Sequence, residues 1–174
     1  RLLRLAMHDD GLSDAHIAEA ITLVDTHGLV HAGRTDLDPA KAALACAAVA
    51  GPTPTLLETI AARRPTVLVG TTGTAGTFTQ AVIEAMDERV GPSDRPLVMP
   101  LSNPTSKAEC TADEAFTWTG GRVAFASGSP FPPVTVGGRP YIPGQGNNAY
   151  IFPGVGLGIL ASRASRVTDE MFFA

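Results

Sequence analysis

The sequence predicts a doubly wound α/β fold around a mostly parallel sheet, and three observations lead to this fold class. Several short runs are apolar without polar alternation, as expected for strands that helices cover on both faces. Helical stretches separate these runs, and prolines or glycines end the helices. The spacing of strands and helices fits crossover connections within one sheet. Ligands bind beyond the carboxyl ends of the strands in such folds, so functional side chains are expected directly after each strand.

Composition excludes several classes of protein. The chain has 174 residues, enough for one domain with a sizeable core. Hydrophobic residues make up 44% and charged residues 17%, which is typical of a folded globular chain. The net charge of −4 gives no basic surplus for nucleic acid, and the apolar stretches are too short or too interrupted to span a bilayer. Cys46 and Cys110 lie far apart and no signal peptide opens the chain, so we expect free thiols and a cytoplasmic protein.

The elements can be assigned in order. The chain begins at Arg1 inside a helical pattern without a cap, so residues 1–174 are expected to be one domain truncated at both ends. The predicted parallel strands are residues 21–25, 66–70, 97–101 and 123–126. The predicted helices between them are residues 54–64, 77–90 and 111–119. A Gly-Gly pair within residues 134–141 predicts a small hairpin, and a helix is expected after the glycine turn at 143–146.

Candidate ligands follow the first two predicted strands. Asp25 can hydrogen-bond a ribose hydroxyl or, alternatively, cap a turn. Arg34 can bind a phosphate or a neighbouring carboxylate, or it can be a solvated surface side chain. Gly70, Gly73 and Gly76 precede a helix and allow a phosphate group to approach the backbone, although a tight turn explains them nearly as well.

Asparagines stand at two further positions where a ligand is expected. Asn103 precedes Pro104 after the third strand, which favours an extended backbone and an amide directed off the strand end, with an ordinary turn as the alternative. Asn147 and Asn148 precede an apolar helical run. Asparagine is among the best helix caps, and one cap would leave the second amide for a ligand, so capping and binding both remain open.

The histidines do not predict a metal site. His27 and His31 are four residues apart, but Gly28 breaks a helical pair, and no carboxylates or cysteines are grouped with them. We interpret them as surface histidines. The sequence also contains no arrangement typical of a nucleophile with its base.

Several motifs together resemble one family. The segments "LSNPTSKAECTADEAFTWTGGRVAFASGSPFPPV" and "GGRPYIPGQGNNAYIFPGVGLGIL" are similar to the C-terminal, cofactor-binding domain of malic enzymes. The segment "GLSDAHIAEAITLVDTHGLVHAGR" resembles the second strand of that domain and its flanks. The resemblance covers the whole chain, most specifically residues 100–158 and most loosely 35–66. It implies a Rossmann-like domain that binds NAD or NADP.

The resemblance also implies roles for individual residues. Asn103 matches an asparagine that contacts the malate carboxylate or hydroxyl, and Asn148 with Asn147 matches contacts to substrate and nicotinamide. The implied substrate ligands are Asn103, Asn147 and Asn148. The implied cofactor ligands are Asp25, Arg34, Gly70, Gly73, Gly76, Asn103 and Asn147.

Malic enzymes oxidise L-malate with NAD or NADP and a divalent cation, and then decarboxylate bound oxaloacetate to pyruvate. The resemblance therefore implies part of such an enzyme, working as a homo-oligomer. The family's catalytic tyrosine and lysine, its metal-binding carboxylates and its first glycine-rich loop precede the position that matches Arg1. We therefore expect no catalytic residue here, Mg²⁺ or Mn²⁺ bound outside this chain, and an isolated chain without activity. Lys41 can neutralise a 2′-phosphate, which slightly favours NADP, or it can be a solvated surface side chain.

Two alternatives remain open. A malic enzyme fused to a phosphate acetyltransferase would contain the same domain. A non-catalytic, nucleotide-binding regulatory domain would explain the glycines that follow the strands, but it gives no reason for Asn103 and Asn148 to converge.

Overall fold

The computed structural model describes residues 2–91 and 93–172, which form two compact units. One unit comprises the described residues of 1–53 and 148–174, and the other comprises those of 54–147. The helices are α1 Leu2–Asp9, α2 Asp14–Ala20, α3 Pro39–Ala42, α4 Leu56–Arg63, α5 Gln80–Arg89, α6 Ala112–Trp118 and α7 Phe152–Ser162. The strands are β1 Val24–Asp25, β2 Gly28–Leu29, β3 Val67–Gly70, β4 Leu97–Pro100, β5 Ala124–Ser127, β6 Val134–Val136, β7 Arg139–Tyr141 and β8 Gly144–Gln145.

The unit of residues 54–147 contains the predicted parallel sheet. Its strand order is β3-β4-β5-β8, and every neighbouring pair is parallel. Three of the four predicted strands and all three predicted helices between strands are therefore confirmed, within a few residues at their ends. The α/β fold class is confirmed as well.

Strand β8 was not predicted. The glycine turn expected at residues 143–146 instead contributes a two-residue strand that pairs with β5, with Ala126 opposite Gly144 and Ser127 opposite Gln145. The predicted hairpin is confirmed as β6 and β7, which pair antiparallel around Gly137 and Gly138, both with positive φ. Glycine suits this turn because side chains rarely adopt that backbone conformation.

One hydrophobic core holds this unit together. Leu68, Val98 and Phe125 point from β3, β4 and β5 into a buried cluster to which α4, α5 and α6 all contribute. Capping boxes begin two of these helices: Thr55 with Glu58 at α4, and Thr111 with Glu114 at α6. Each box satisfies backbone N–H groups that the first helical turn leaves without a partner.

The first predicted strand is wrong as a member of the parallel sheet. Of residues 21–25, only Val24–Asp25 forms a strand, and this segment pairs antiparallel with Gly28–Leu29. Asp25 Oδ1 accepts a hydrogen bond of 2.9 Å from the His27 backbone N–H, and Gly28 has a φ of 99°. The side-chain cap and the glycine reverse the chain after two residues, so a hairpin forms where the sequence predicted a crossover.

The helix predicted after the asparagines is confirmed, but neither asparagine caps it. Asn148 begins a 3₁₀ turn, Asn148–Tyr150, and α7 starts only at Phe152, with Ile151 as an N-cap that provides no side-chain hydrogen bond. No residue of α7 is buried, so its apolar run does not enter a core within the described residues.

The described helices include none that is both long enough and apolar enough to cross a membrane. The two cysteines are free, as predicted; Cys110 is buried, and its burial raises the pKa of the thiol to about 12. A thiol with this pKa stays protonated at neutral pH and is therefore a poor nucleophile.

Candidate functional site

The carboxyl ends of β3, β4 and β5 form the candidate site. Because these strands are parallel, the segments that follow them emerge at the same edge of the sheet. They are the glycine loop, residues 71–79, then the turn at Ser102 and Asn103, and then the loop at Gly128 and Ser129. Two of the predicted ligand groups, the glycines and Asn103, thus lie at the expected edge.

The Asn103 amide is exposed and held in one orientation. Ser129 Oγ donates a hydrogen bond of 2.5 Å to Asn103 Oδ1, and Asn103 Nδ2 donates one of 3.3 Å to the Leu101 carbonyl. An amide NH₂ group has two donors, so a second N–H remains for a ligand. The peptide bond between Asn103 and Pro104 is cis. The side chain is suited to donate to a carboxylate or carbonyl oxygen.

Gly128 makes room for this arrangement. A Cβ at Gly128 would lie 2.2 Å from the Leu101 carbonyl oxygen and 2.9 Å from Asn103 Nδ2. Both distances are far below van der Waals contact, so only glycine fits between the ends of β4 and β5. Gly128 and Ser129 were not predicted as site residues, although the segment "SGSP" directly after a strand was a signal for them.

Asn147 contacts the same loop. Its Nδ2 donates a hydrogen bond of 2.7 Å to the Gly128 carbonyl. Asn103 and Asn147 therefore both hydrogen-bond within the Gly128–Ser129 segment, although 44 positions separate them in the chain. Asn148 belongs to the other unit, so its convergence with Asn103 stays a prediction.

The glycine at the end of β3, Gly70, and the two in the loop that follows, Gly73 and Gly76, are required for different structural reasons. Gly73 and Gly76 have φ values of 67° and 74°, which disfavour other residues, and a Cβ on either would meet nothing within 4 Å. Gly70 instead leaves space for Glu109, whose Cδ would lie 2.6 Å from a Cβ at that position. The tight-turn interpretation is confirmed for Gly73 and Gly76, and the phosphate-binding interpretation stays a prediction.

Asp25 and Arg34 form a compact ion cluster in the other unit. Arg34 donates to both oxygens of Asp25, at 2.8 and 3.1 Å, and to both oxygens of Asp36, at 2.9 and 2.6 Å. The Arg34 side chain is only 7% exposed, so the interpretation as a solvated arginine is wrong and that of a carboxylate partner is confirmed. Lys41 Nζ lies 2.6 Å from Asp25 Oδ2.

These contacts shift the ionisation of the cluster. Hydrogen bonds from Arg34 are the main reason that the pKa of Asp25 and the pKa of Asp36 lie well below their usual range. Hydrogen bonds to the two carboxylates raise the pKa of Arg34, and the bond to Asp36 has the larger effect. Both acids therefore stay ionised, and two cations offset their charge.

The contacts within the cluster limit how Asp25 could bind a ribose hydroxyl. Asp25 already accepts hydrogen bonds from the His27 N–H, twice from Arg34 and from Lys41. A carboxylate has about four acceptor positions, so a ribose hydroxyl would have to displace one of these donors. Lys41 is the most accessible donor, with a side chain that is 37% exposed. The roles of Asp25 and Arg34 in cofactor binding stay predictions.

Metal ligands were not expected in this chain. Among residues 2–91 and 93–172, no group of three or more histidine, cysteine, aspartate or glutamate side chains could hold a metal ion. His31 is not the surface residue that we predicted. It is 5% exposed, its Nδ1 accepts from the Gly33 N–H at 3.2 Å, and its Nε2 lies 3.3 Å from Thr53 Oγ1.

A separate cavity lies at the opposite edge of the sheet. It has a volume of about 860 Å³ and is lined by residues that precede β4 and β5, including Arg95 and Arg122, and by Tyr141 of the hairpin. None of the predicted ligands lines this cavity.

Comparison with known proteins bears on the whole chain. The family model described as "Malic enzyme, NAD binding domain" matches residues 1–174. An NADP-dependent malic enzyme of Vitis vinifera is 50% identical over 155 residues, which cover 88% of this chain and 25% of the relative. NADP-dependent malic enzyme 2 of Arabidopsis thaliana is 54% identical over 123 residues, covering 71% of this chain and 20% of the relative. A chloroplastic NADP-dependent malic enzyme of Zea mays is 48% identical over 155 residues, covering 88% of this chain and 24% of the relative.

This chain thus spans a quarter or less of the length of these relatives. The family match extends over all of it, and the parallel sheet, with the glycine loop and Asn103 at its carboxyl edge, has the architecture expected for such a domain. The chain belongs to the malic enzyme family and carries its NAD-binding domain.

Proposed function

We propose that this chain is the dinucleotide-binding part of an enzyme that oxidises L-malate and releases pyruvate and CO₂. The observation that carries the proposal is the orientation of the Asn103 amide. Ser129 donates to its oxygen, so its NH₂ group is the part presented to a ligand. An NH₂ donor at the carboxyl edge of the sheet suits the carboxylate or the hydroxyl oxygen of malate.

The residues of this chain bind and orient in the proposed reaction. Asn103 donates to malate, and Asn147 holds the Gly128 loop beside Asn103. The resemblance of the segment that contains Asn148 supports this residue as a second donor to malate. The glycine loop after β3 lines the dinucleotide. A bound dinucleotide would supply the hydride acceptor for C2 of malate, and Mg²⁺ or Mn²⁺, which residues outside this chain would hold, would supply Lewis-acid chemistry at the oxygen on that carbon.

We propose NADP as the cofactor in preference to NAD. The relatives compared above are named NADP-dependent malic enzymes. In this chain the Lys41 ammonium lies at the rim of the Asp25–Arg34 cluster and is more than a third exposed. A 2′-phosphate that approached this rim would replace the Asp25 carboxylate as the partner of Lys41. Because the phosphate is a dianion and the carboxylate a monoanion, Lys41 would attract the phosphate more strongly, which favours NADP.

The test uses the longest polypeptide that the gene encodes and that includes this chain, called the longest polypeptide below. We expect malate-dependent reduction of NADP⁺ in the presence of Mg²⁺ or Mn²⁺. Hydrogen bonds to a charged group contribute about 1.5–3 kcal/mol, so Asn103→Ala and Asn148→Ala should each lower kcat/KM for malate roughly ten- to a hundredfold.

Thermal midpoints of the same variants provide the control. Because Ile151 and not Asn148 occupies the N-cap of α7, Asn148→Ala should leave the midpoint nearly unchanged. A variant with unaltered kcat/KM and a lowered midpoint would assign that asparagine a purely structural role. Nucleotide binding without any turnover of malate would favour the regulatory-domain alternative.

A further inference from the structure

The most deeply buried charge outside the predicted site is the carboxylate of Glu109. The residue is 0% exposed, and among the described residues no cation pairs with it. Burial raises the pKa of Glu109, but hydrogen bonds from Ser102 and Thr72 outweigh this effect, and the net shift is downward. The carboxylate is therefore ionised at neutral pH and is stabilised by hydrogen-bond donors alone.

Those donors come from two of the three segments that form the candidate site, the glycine loop and the turn at Ser102 and Asn103. Thr72 donates to Glu109 Oε1 through its backbone N–H at 2.7 Å and through its hydroxyl at 2.9 Å. Ser102 donates its hydroxyl to the same oxygen at 2.5 Å, and its N–H lies 3.4 Å from Oε2. One carboxylate thus joins the glycine loop after β3 to the residue that directly precedes Asn103.

Two further contacts extend this connection. Ser102 Oγ also accepts the Gly73 N–H at 2.8 Å. The hydroxyl that donates to Glu109 therefore also fixes a second backbone N–H of the glycine loop. The Glu109 carbonyl accepts the Phe78 N–H at 3.0 Å, which fixes the far end of the same loop. Gly70 leaves the space through which the Glu109 side chain reaches these donors.

This geometry limits what the glycine loop can bind. The N–H groups of Thr72 and Gly73 are directed to Glu109 and Ser102, so neither is available to a phosphate group. A buried negative charge behind the loop further disfavours a phosphate there. The loop is a surface of fixed shape beside Asn103, and the carboxylate determines that shape.

We propose that Glu109 is a positioning residue that holds the dinucleotide-facing glycine loop and the malate-binding Asn103 turn in one fixed arrangement. It contacts neither ligand, but it joins the two segments that are to contact them. Malate and dinucleotide affinity therefore both depend on it. This inference rests on the proposed function for its kinetic consequence, whereas its structural consequence can be measured without any ligand.

The experiment compares Glu109→Gln with Glu114→Gln. Glu114 is a matched control because it also accepts from the N–H and the hydroxyl of one threonine, Thr111, at 2.8 and 2.9 Å, but in the capping box of α6. Hydrogen bonds to a charged acceptor are markedly stronger than those to a neutral one. In the 174-residue chain without ligands, Glu109→Gln should speed hydrogen exchange of the Thr72 and Gly73 amides about tenfold relative to the wild type and to Glu114→Gln.

The kinetic part uses the longest polypeptide that contains the chain. Glu109→Gln should lower kcat/KM for malate and raise KM for NADP⁺, each about tenfold, whereas Glu114→Gln should change either constant less than twofold. Ser102→Ala removes the acceptor of the Gly73 N–H together with one donor to Glu109. It should release the Gly73 amide but not the Thr72 amide, which keeps its own hydrogen bond to Glu109. It also provides the test if Glu109→Gln does not fold.

Each outcome decides one question. If exchange at Thr72 and Gly73 is the same in Glu109→Gln and Glu114→Gln, or if Ser102→Ala leaves the Gly73 amide protected, the positioning role is wrong. Equal kinetic losses in Glu109→Gln and Glu114→Gln would also overturn it, because both would then reflect lower stability. If exchange changes as expected but the wild-type polypeptide does not turn over malate, the proposed function fails while the link between the loops stands.

Discussion

Replacing Gly128 by alanine tests whether the position of Asn103 depends on close approach between the ends of β4 and β5. The added Cβ would lie 2.2 Å from the Leu101 carbonyl oxygen, 2.7 Å from its carbon and 2.9 Å from Asn103 Nδ2. Unstrained contacts between such atoms are about 3.5 Å, so the two segments must separate by roughly 1 Å. Neither segment can move alone, because Leu101 N–H donates to the Gly70 carbonyl at 2.8 Å and Gly128 N–H donates to the Pro100 carbonyl at 3.1 Å.

The expected loss of folding free energy in Gly128→Ala follows from the atoms that the added Cβ would meet. Overpacking a well-packed site costs about 1–3 kcal/mol, and the upper half of that range applies here because the obstructing atoms belong to the backbone. A loss of about 2–3 kcal/mol lowers the folding equilibrium constant by roughly 30- to 150-fold. The Asn103 amide should also lose its contact with Ser129, so malate kcat/KM of the longest polypeptide should fall with the stability.

Urea denaturation followed by Trp118 fluorescence is the appropriate assay. Trp118 is the single tryptophan of the chain and packs against the core of residues 54–147, so its emission reports the unit that contains Gly128. Gly146→Ala is the control, because a Cβ at Gly146 meets only side-chain atoms of Leu101 and Met99 at 3.4 and 3.7 Å. This variant should lose less than about 1 kcal/mol. Equal midpoints for Gly128→Ala and Gly146→Ala would refute the steric argument.

Two further predictions concern the ion cluster. The folded-state pKa of Asp25 is depressed by Arg34, so its stabilising contribution is fully present above the unfolded pKa of about 4 and is lost as the pH falls below it. Asp25→Asn should therefore destabilise the chain at pH 7, and its difference from the wild type should narrow between about pH 5 and pH 2 in acid titrations of the urea midpoint. A constant difference across this range would contradict the assignment. Lys41→Gln should weaken binding of NADPH more than binding of NADH in parallel fluorescence titrations, and equal losses for both cofactors would remove Lys41 from cofactor selection.

The parallel sheet could be predicted because its signals are local. Residues 66–70, 97–101 and 123–126 are apolar, and the helices between them have caps and breakers that the sequence displays. The segment at 21–25 has the same apolar character but forms a hairpin. The hairpin at this position involves the hydrogen bond that the His27 N–H donates to the Asp25 side chain and the positive φ of Gly28, and both are present only once the turn has formed.

A residue of the candidate site could be predicted only where the local sequence around it indicates its role. Asn103 was predicted as a ligand because the proline after it favours an extended backbone, which directs its amide off the strand end. Glu109 was missed because a glutamate is ordinarily exposed, and its partners Thr72 and Ser102 lie 37 and 7 positions away. A buried acid can be recognised only when its hydrogen-bond donors are known. The donors to Glu109 come together only after β3 and β4 have paired. The strand β8 was missed for a similar reason, since Gly144 and Gln145 have no apolar signal of their own.

The adjacent asparagines Asn147 and Asn148 have different surroundings. Asn147 donates to the Gly128 carbonyl at 2.7 Å, so at least one of its two N–H groups is committed to holding the loop that orients Asn103. Asn148 is exposed and lies in the 3₁₀ turn before α7, where capping is not required of it because Ile151 occupies the cap position. Asn147 therefore contributes to the geometry of the candidate site through the Gly128 carbonyl, and the proposal that Asn148 binds a ligand does not compete with a capping role at α7. The stability of α7 gives no reason for either asparagine, because Ile151 and not an asparagine occupies the N-cap position.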